Sequence, residues 1–125
     1  MPEQIPAGPI HHLRLTVTDV ERSGDPAEAE TFSVLFGGVV MIRGDLLMGL
    51  RPMAPEGDCF DPDRVGLDHL SFSVASRDDL EQAAKLFGQH DVVHGEITRL
   101  LSFGIDVLSF EDPDGIQLEL TAPVS

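Results

Sequence analysis

The chain has 125 residues and a formal net charge of −14, from 22 acidic against 8 basic side chains. That is length enough for one domain with a real core, and it lacks the basic patches that binding nucleic acid or an anionic membrane needs. A single cysteine, Cys59, excludes an internal disulfide and a thiolate metal cluster. The N-terminus carries neither a basic region nor an apolar run, and no stretch approaches the ~20 apolar residues of a membrane span, so a cytoplasmic location is expected.

Residues 1–9 contain Pro2, Pro6 and Pro9 and read as an extended lead-in. From about 10 to 17 the chain alternates: Leu13, Leu15 and Val17 form an apolar face and His12, Arg14 and Thr16 a polar one. On this reading His11 falls on the apolar side as a core histidine. Asp25-Pro26-Ala27-Glu28 has the form of a helix start, and a helix is expected over about 26–36, closed by Gly37-Gly38. Phe32, Val34 and Phe36 in the same stretch fit a strand as well. Val39 to Arg43 and Leu46 to Arg51 read as a hairpin around Gly44-Asp45. Pro52 to Val65 has three prolines, four acidic residues and little periodicity and reads as a linker.

The segment Gly66-Leu67-Asp68-His69-Leu70-Ser71-Phe72-Ser73-Val74 repeats the first strand in register, with His69 opposite His12. A helix follows from Ser76 as N-cap, with an apolar stripe of Leu80, Ala83, Ala84 and Phe87 and a stop at Gly88. Val92 to Leu100 and Ile105 to Phe110 are expected strands, and Asp112-Pro113-Asp114-Gly115 is a turn. The last strand, 116–121, sends Ile116, Leu118 and Leu120 to the core and leaves Gln117, Glu119 and Thr121 on the polar face.

The expected fold class is therefore α+β. It is one domain over 1–125 built of two tandem βαβββ modules that form a cupped mixed sheet. Module one spans about 10–51, the linker 52–65 and module two about 66–122. The first module is shortened: the interval from His12 to Gly49 is thirteen residues less than that from His69 to Glu119.

His12, His69 and Glu119 each lie on the polar face of a strand. If the two modules pack as pseudo-symmetric halves, these faces converge in one cup. Two imidazoles and a carboxylate then make a facial triad with open positions on one divalent metal ion, for which Fe, Mn, Zn and Ni all qualify. Such an ion chelates a small substrate through two adjacent oxygens and acts as a Lewis acid. His94 is a candidate acid or base for the same cup, against the plainer reading as a strand residue. Arg14 and Arg51, on polar faces with His12 and Gly49, are candidates for holding an anionic substrate, against plain salt bridges.

The repeated unit resembles the vicinal oxygen chelate superfamily, also called the glyoxalase/bleomycin resistance/dioxygenase group. The resemblance is carried by Ile10-His11-His12-Leu13, by Gly66 to Phe72, and by Asp112-Pro113-Asp114-Gly115-Ile116-Gln117-Leu118-Glu119-Leu120. It implies metal ligation by His12, His69 and Glu119 and a small-molecule substrate. Glyoxalase I-like members use a fourth ligand where this chain has Gly49. Extradiol dioxygenases use an active-site tyrosine, and this chain has no tyrosine. Fosfomycin-modifying thiol transferases carry threonine where this chain has Arg14. A shortened first module would expose part of the sheet's outer face, which a partner chain would have to cover; a homodimer is expected. The alternative function is metal-free sequestration of a small molecule, as in bleomycin resistance members, whose clefts rely on aromatic side chains; this chain has seven Phe.

Overall fold

The computed structural model describes residues 5–18, 40–43 and 46–124. In the first half, β1 (His12–Thr16), β2 (Val40–Arg43) and β3 (Leu46–Arg51) form a three-stranded sheet in the order β1-β3-β2. β1 runs parallel to β3, and β2 antiparallel to it. The helix expected over 26–36 and the turn at Gly44-Asp45 lie outside the described residues.

In the second half, β4 (Leu70–Ser73) leads into the helix α1 (Arg77–Gln89), followed by β5 (Thr98–Leu100), a 3-10 turn (Leu101–Phe103), β6 (Ile105–Glu111) and β7 (Gln117–Pro123). The sheet order is β4-β7-β6-β5, with β4 parallel to β7 and the other pairs antiparallel. Among the described residues β1 and β4 are each a sheet edge, paired on one side only. The architecture is mixed α+β, and no described helix is long and apolar enough to cross a membrane.

Alternation explains why these strands bury what they bury. Leu15 and Val17 of the β1 segment and Met48 and Leu50 of β3 are buried, whereas His12, Arg14, Thr16 and Arg51 are exposed. The first sheet's apolar face joins one core cluster with Leu80 and Phe87 of α1, Leu108 and Phe110 of β6, and Leu118 and Ala122 of β7. Phe87 stacks on Phe110 with ring centroids 4.5 Å apart. Leu80 and Phe87, both essentially inaccessible, each contribute roughly 1.5–3 kcal/mol of burial.

A buried carboxylate clasps the two halves. Asp114 accepts hydrogen bonds from the Thr18 amide (2.9 Å) and the Thr18 hydroxyl (2.6 Å), just past the end of β1. Its backbone carbonyl accepts from the Phe60 amide at 2.8 Å, which fastens the connecting segment to the same point. Asp114 is held in place by the turn it belongs to. Asp112 Oδ1 accepts from the amides of Asp114 and Ile116, and Pro113 and Gly115 take the second and fourth positions of that turn. Gly115 sits at φ 82°, a conformation that favours glycine.

Three boundaries differ from expectation. The second histidine strand begins only at Leu70, where its ladder to Leu118 of β7 starts; His69 stands just ahead of it. Only Thr98–Leu100 of the expected 92–100 strand forms a ladder. The stretch before it bonds to β6 at intervals, through Val93 to Glu111 and Gly95 to Ser109, with an isolated bridge from His94 to Phe110. The helix passes Gly88 and closes at Asp91, whose φ is 55°, with the Val92 amide bonded back to the Phe87 carbonyl at 2.9 Å. That is the left-handed C-terminal cap in which glycine is usual.

Asp106 is fully buried at the start of β6 and is met by two arginines. Arg99 donates to both its oxygens (2.8 and 3.0 Å), and Arg77 of α1 approaches to 3.4 Å. The Arg99 hydrogen bonds, helped by the charges of both arginines and opposed by burial, lower the Asp106 pKa from the usual carboxylate value. A depressed folded-state pKa contributes stability above the unfolded value near 3.8 and loses it as pH falls through the folded one. Asp106→Asn is therefore expected to lower the melting temperature at pH 7 and to narrow the gap to wild type as acid is added, read by thermal unfolding from pH 7 to pH 2. Asp91→Gly is expected to stabilise the protein by about 1 kcal/mol in a denaturant titration, since it relieves the left-handed strain.

Candidate functional site

The polar face of the second sheet carries a small network. Cross-strand register sets Ser71 beside Glu119 on one side and Ser109 on the other, so the Glu119 side chain emerges between two serines. The Thr121 hydroxyl, two residues along β7, donates to Glu119 Oε1 at 3.2 Å and shares a 2.5 Å hydrogen bond with the Ser71 hydroxyl. Glu119 is thus an aimed carboxylate with only 19% of its side chain exposed.

His69 approaches from the neighbouring strand. Its Nε2 lies 4.0 Å from Glu119 Oε1. Its Nδ1 is 2.6 Å from Asp68 Oδ1. A carboxylate accepts, so Nδ1–H donates to Asp68, and Nε2 is the nitrogen left to accept from a ligand. The Asp68 hydrogen bond chiefly, opposed by burial and helped by the charges of Glu119 and Asp68, raises the His69 pKa above its usual 6.5.

The pair suits a divalent ion as two of its ligands. An imidazole nitrogen and a carboxylate oxygen bound at about 2.1 Å sit roughly 3–3.5 Å apart around one ion, so a small side-chain rotation closes the observed gap. His12 is not gathered with them. Its Nδ1 meets His11 Nδ1 at 3.0 Å, and among the described residues no group of three or more His, Cys, Asp or Glu side chains is close enough to hold a metal ion.

The other candidates are placed as follows. His11 is exposed rather than in the core, because β1 starts one residue later; its ring packs edge-on against His12, with centroids 5.2 Å apart. His94 bridges Phe110, with its ring 5.8 Å from Phe87 and its Nδ1 2.7 Å from the Gly95 carbonyl oxygen. Phe87 and Phe110 belong to the helix-packed face, so His94 is not brought to the face that carries Glu119. Arg14 pairs with Gly49 across β1 and β3 and lies over it. This register, His12+2 beside Gly49, matches that of His69+2 beside Glu119, so Gly49 is the positional counterpart of Glu119. A cleft of about 470 Å3 opens beside the Asp114 clasp, lined by Thr16, Thr18, Phe60, Arg64, Leu67 and Ile116.

No protein-family model matches the sequence, and no curated protein does. Solved structures do match. A glyoxylase/bleomycin resistance protein/dioxygenase domain from Frankia sp. EAN1pec is 24% identical, over 94% of this chain and 98% of that one, with a TM-score of 0.71. A glyoxalase/dioxygenase from Nostoc punctiforme is 16% identical over the whole of both chains, with a TM-score of 0.68. The fosfomycin resistance protein FosX of Mesorhizobium loti is 16% identical, over 97% and 95%, with a TM-score of 0.61. The fold is that of the vicinal oxygen chelate proteins.

Within this vicinal oxygen chelate fold, sequence reasoning passed over Asp68 and Thr121. Both had a signal: Asp68 is the acidic neighbour of a strand histidine, and Thr121 shares a face with Glu119 two residues on. Because Asp68 raises the His69 pKa, the pair adds stability that is full below about pH 6.5 and lost as pH rises through the folded value. Asp68→Asn is expected to bring the His69 titration midpoint down toward 6.5, followed by NMR of the ring protons.

Proposed function

We propose that the chain is a metal-dependent enzyme of the glyoxalase/dioxygenase type, acting on a small substrate with adjacent oxygens. Two tandem βαβββ modules, the first shortened, make up the domain in this reading. His12, His69 and Glu119 hold one divalent ion, Fe, Mn, Zn or Ni. The observation that carries it is the His69–Glu119 pair, with Nε2 left available by the Asp68 hydrogen bond. His12 is the third ligand, offered from the polar face of the other sheet, and the assembly that completes the cup is a homodimer. Leu101 and Phe103, 74% and 76% exposed at the outer end of the second sheet, give a second copy apolar surface to cover.

A divalent ion bound there supplies Lewis acidity to the substrate's adjacent oxygens. The chain's own residues do the rest. Asp68 holds the His69 tautomer, which keeps the Nε2 lone pair directed outward. Thr121 and Ser71 orient the Glu119 carboxylate. The open polar sheet face leaves room for a small molecule beside both.

The cleft at Phe60, Leu67 and Ile116 supports a second reading, in which the protein sequesters a small molecule without a metal. Metal analysis separates the two. Protein purified without an affinity tag is expected to hold, or to take up on reconstitution, about one equivalent of divalent ion, lost in His69→Ala while the cooperative melt survives. Asp68→Asn is expected to weaken uptake about 10–100-fold. No uptake of Fe(II), Mn(II), Zn(II) or Ni(II) by the wild type would leave sequestration as the function.

A further inference from the structure

The polar face of the first sheet is cationic in an otherwise acidic chain. Along β1 it presents His12, Arg14 and Thr16; along β3, beside them in register, it presents Leu47, Gly49 and Arg51. No aspartate or glutamate stands on this face of either strand. Arg14 and Arg51 are exposed, and among the described residues neither guanidinium is ion-paired, while Arg77 and Arg99 both are.

The geometry has a cause in Gly49. A Cβ built there would lie 3.4 Å from Arg14 Cγ and 3.8 Å from Arg14 Nε. The Arg14 stem therefore lies across the bare backbone at Gly49, and its guanidinium is set down on the sheet face. Arg51 rises from the same strand two residues further along, on the same face. Two like charges set diagonally on one sheet face repel, and an anion between them relieves that repulsion. Thr16, partner of Arg51, stands at the margin of the 470 Å3 cleft, but that cleft carries Asp58, Asp61 and Asp114 and neither Arg14 nor Arg51, so the anion seat lies on the open sheet face.

We infer that Arg14 and Arg51 form an oxyanion-binding strip, and that the substrate is a small organic anion, with a carboxylate or a phosphonate or phosphate group seated on the two guanidiniums. Guanidinium suits this chemistry because its planar fork donates two parallel hydrogen bonds to such a group. The inference rests on the proposed function in taking the bound anion as the substrate, and it adds the substrate's charge.

The test uses metal-free protein in the presence of a chelator, titrated with inorganic phosphate and separately with acetate, while the arginine Nε–H signals are followed by 15N NMR. Phosphate is expected to move the Arg14 and Arg51 signals together and saturably, while Arg99, anchored to Asp106, stays still. A response to acetate as well assigns the seat to oxyanions at large; a response to phosphate alone assigns it to phosphonates and phosphates. Arg14→Gln is expected to weaken phosphate binding about tenfold. Gly49→Glu is expected to do the same by giving Arg14 an internal partner, with the thermal melt confirming a folded variant. Signals unmoved by either anion, or binding undiminished in the Arg14→Gln/Arg51→Gln double variant, overturn the inference. Failure here is distinct from failure of the metal reading, which is measured by ion uptake at His69 and Glu119 in the absence of anion.

Discussion

The Asp114 carboxylate is the point on which the arrangement of this chain turns. Its two oxygens take both donors of Thr18, and its carbonyl takes the Phe60 amide. Three separate segments, the end of the first strand, the connecting stretch and the turn ahead of the last strand, are thereby tied at one buried place. Hydrogen bonds to a charged acceptor are worth about 1.5–3 kcal/mol each, which is large against the total stability of a small domain. The hydrophobic cluster brings the two sheets into contact, but apolar contact is non-directional. The clasp supplies direction, and with it the setting of the cleft beside Thr16 and Thr18.

Each sheet buries its apolar face and is left with a polar one, and the candidate site residues stand on those polar faces. They are unlike. The second sheet offers an aimed carboxylate and an imidazole whose tautomer is set by Asp68. The first offers an imidazole and two guanidiniums. The difference traces to one position in a shared register: where β7 has Glu119, β3 has Gly49, and the space is taken by Arg14. Two structurally similar sheets thus present opposite charge, which is what a site needs if it is to hold a cation and an anion together.

Much of this was legible in the alternation of apolar and polar residues. That pattern put Leu15 on the apolar face and His12, His69 and Glu119 on polar faces, and the 3.6-residue stripe of Leu80, Ala83, Ala84 and Phe87 gave the helix. What escaped the pattern has physical reasons. Strand length depends on pairing: Gly66 to Val74 alternates throughout, yet its ladder with β7 runs only from Leu70 to Ser73. Residues 92–97 read as strand from composition, yet they touch β6 only at intervals. Gly88 looked like a helix stop, but the helix runs on to Gln89 and the left-handed residue is Asp91. His11 followed a parity that ends where the strand ends. The side-chain pairings, Asp68 with His69 and Arg14 over Gly49, depend on rotamers, about which alternation says nothing.

The two strands that bear the histidines are the edges of their sheets. An interior strand is held on both sides and shifts only with its neighbours; an edge strand gives up half that restraint and opens at lower free energy. His12 stands at the first residue of one such edge and His69 one residue ahead of the other. Glu119 and Gly49, by contrast, ride on strands flanked on both sides. Glu119 and Gly49 are therefore held from both sides, whereas His12, His69 and Arg14 stand on or just ahead of edge strands and can shift without disturbing the core.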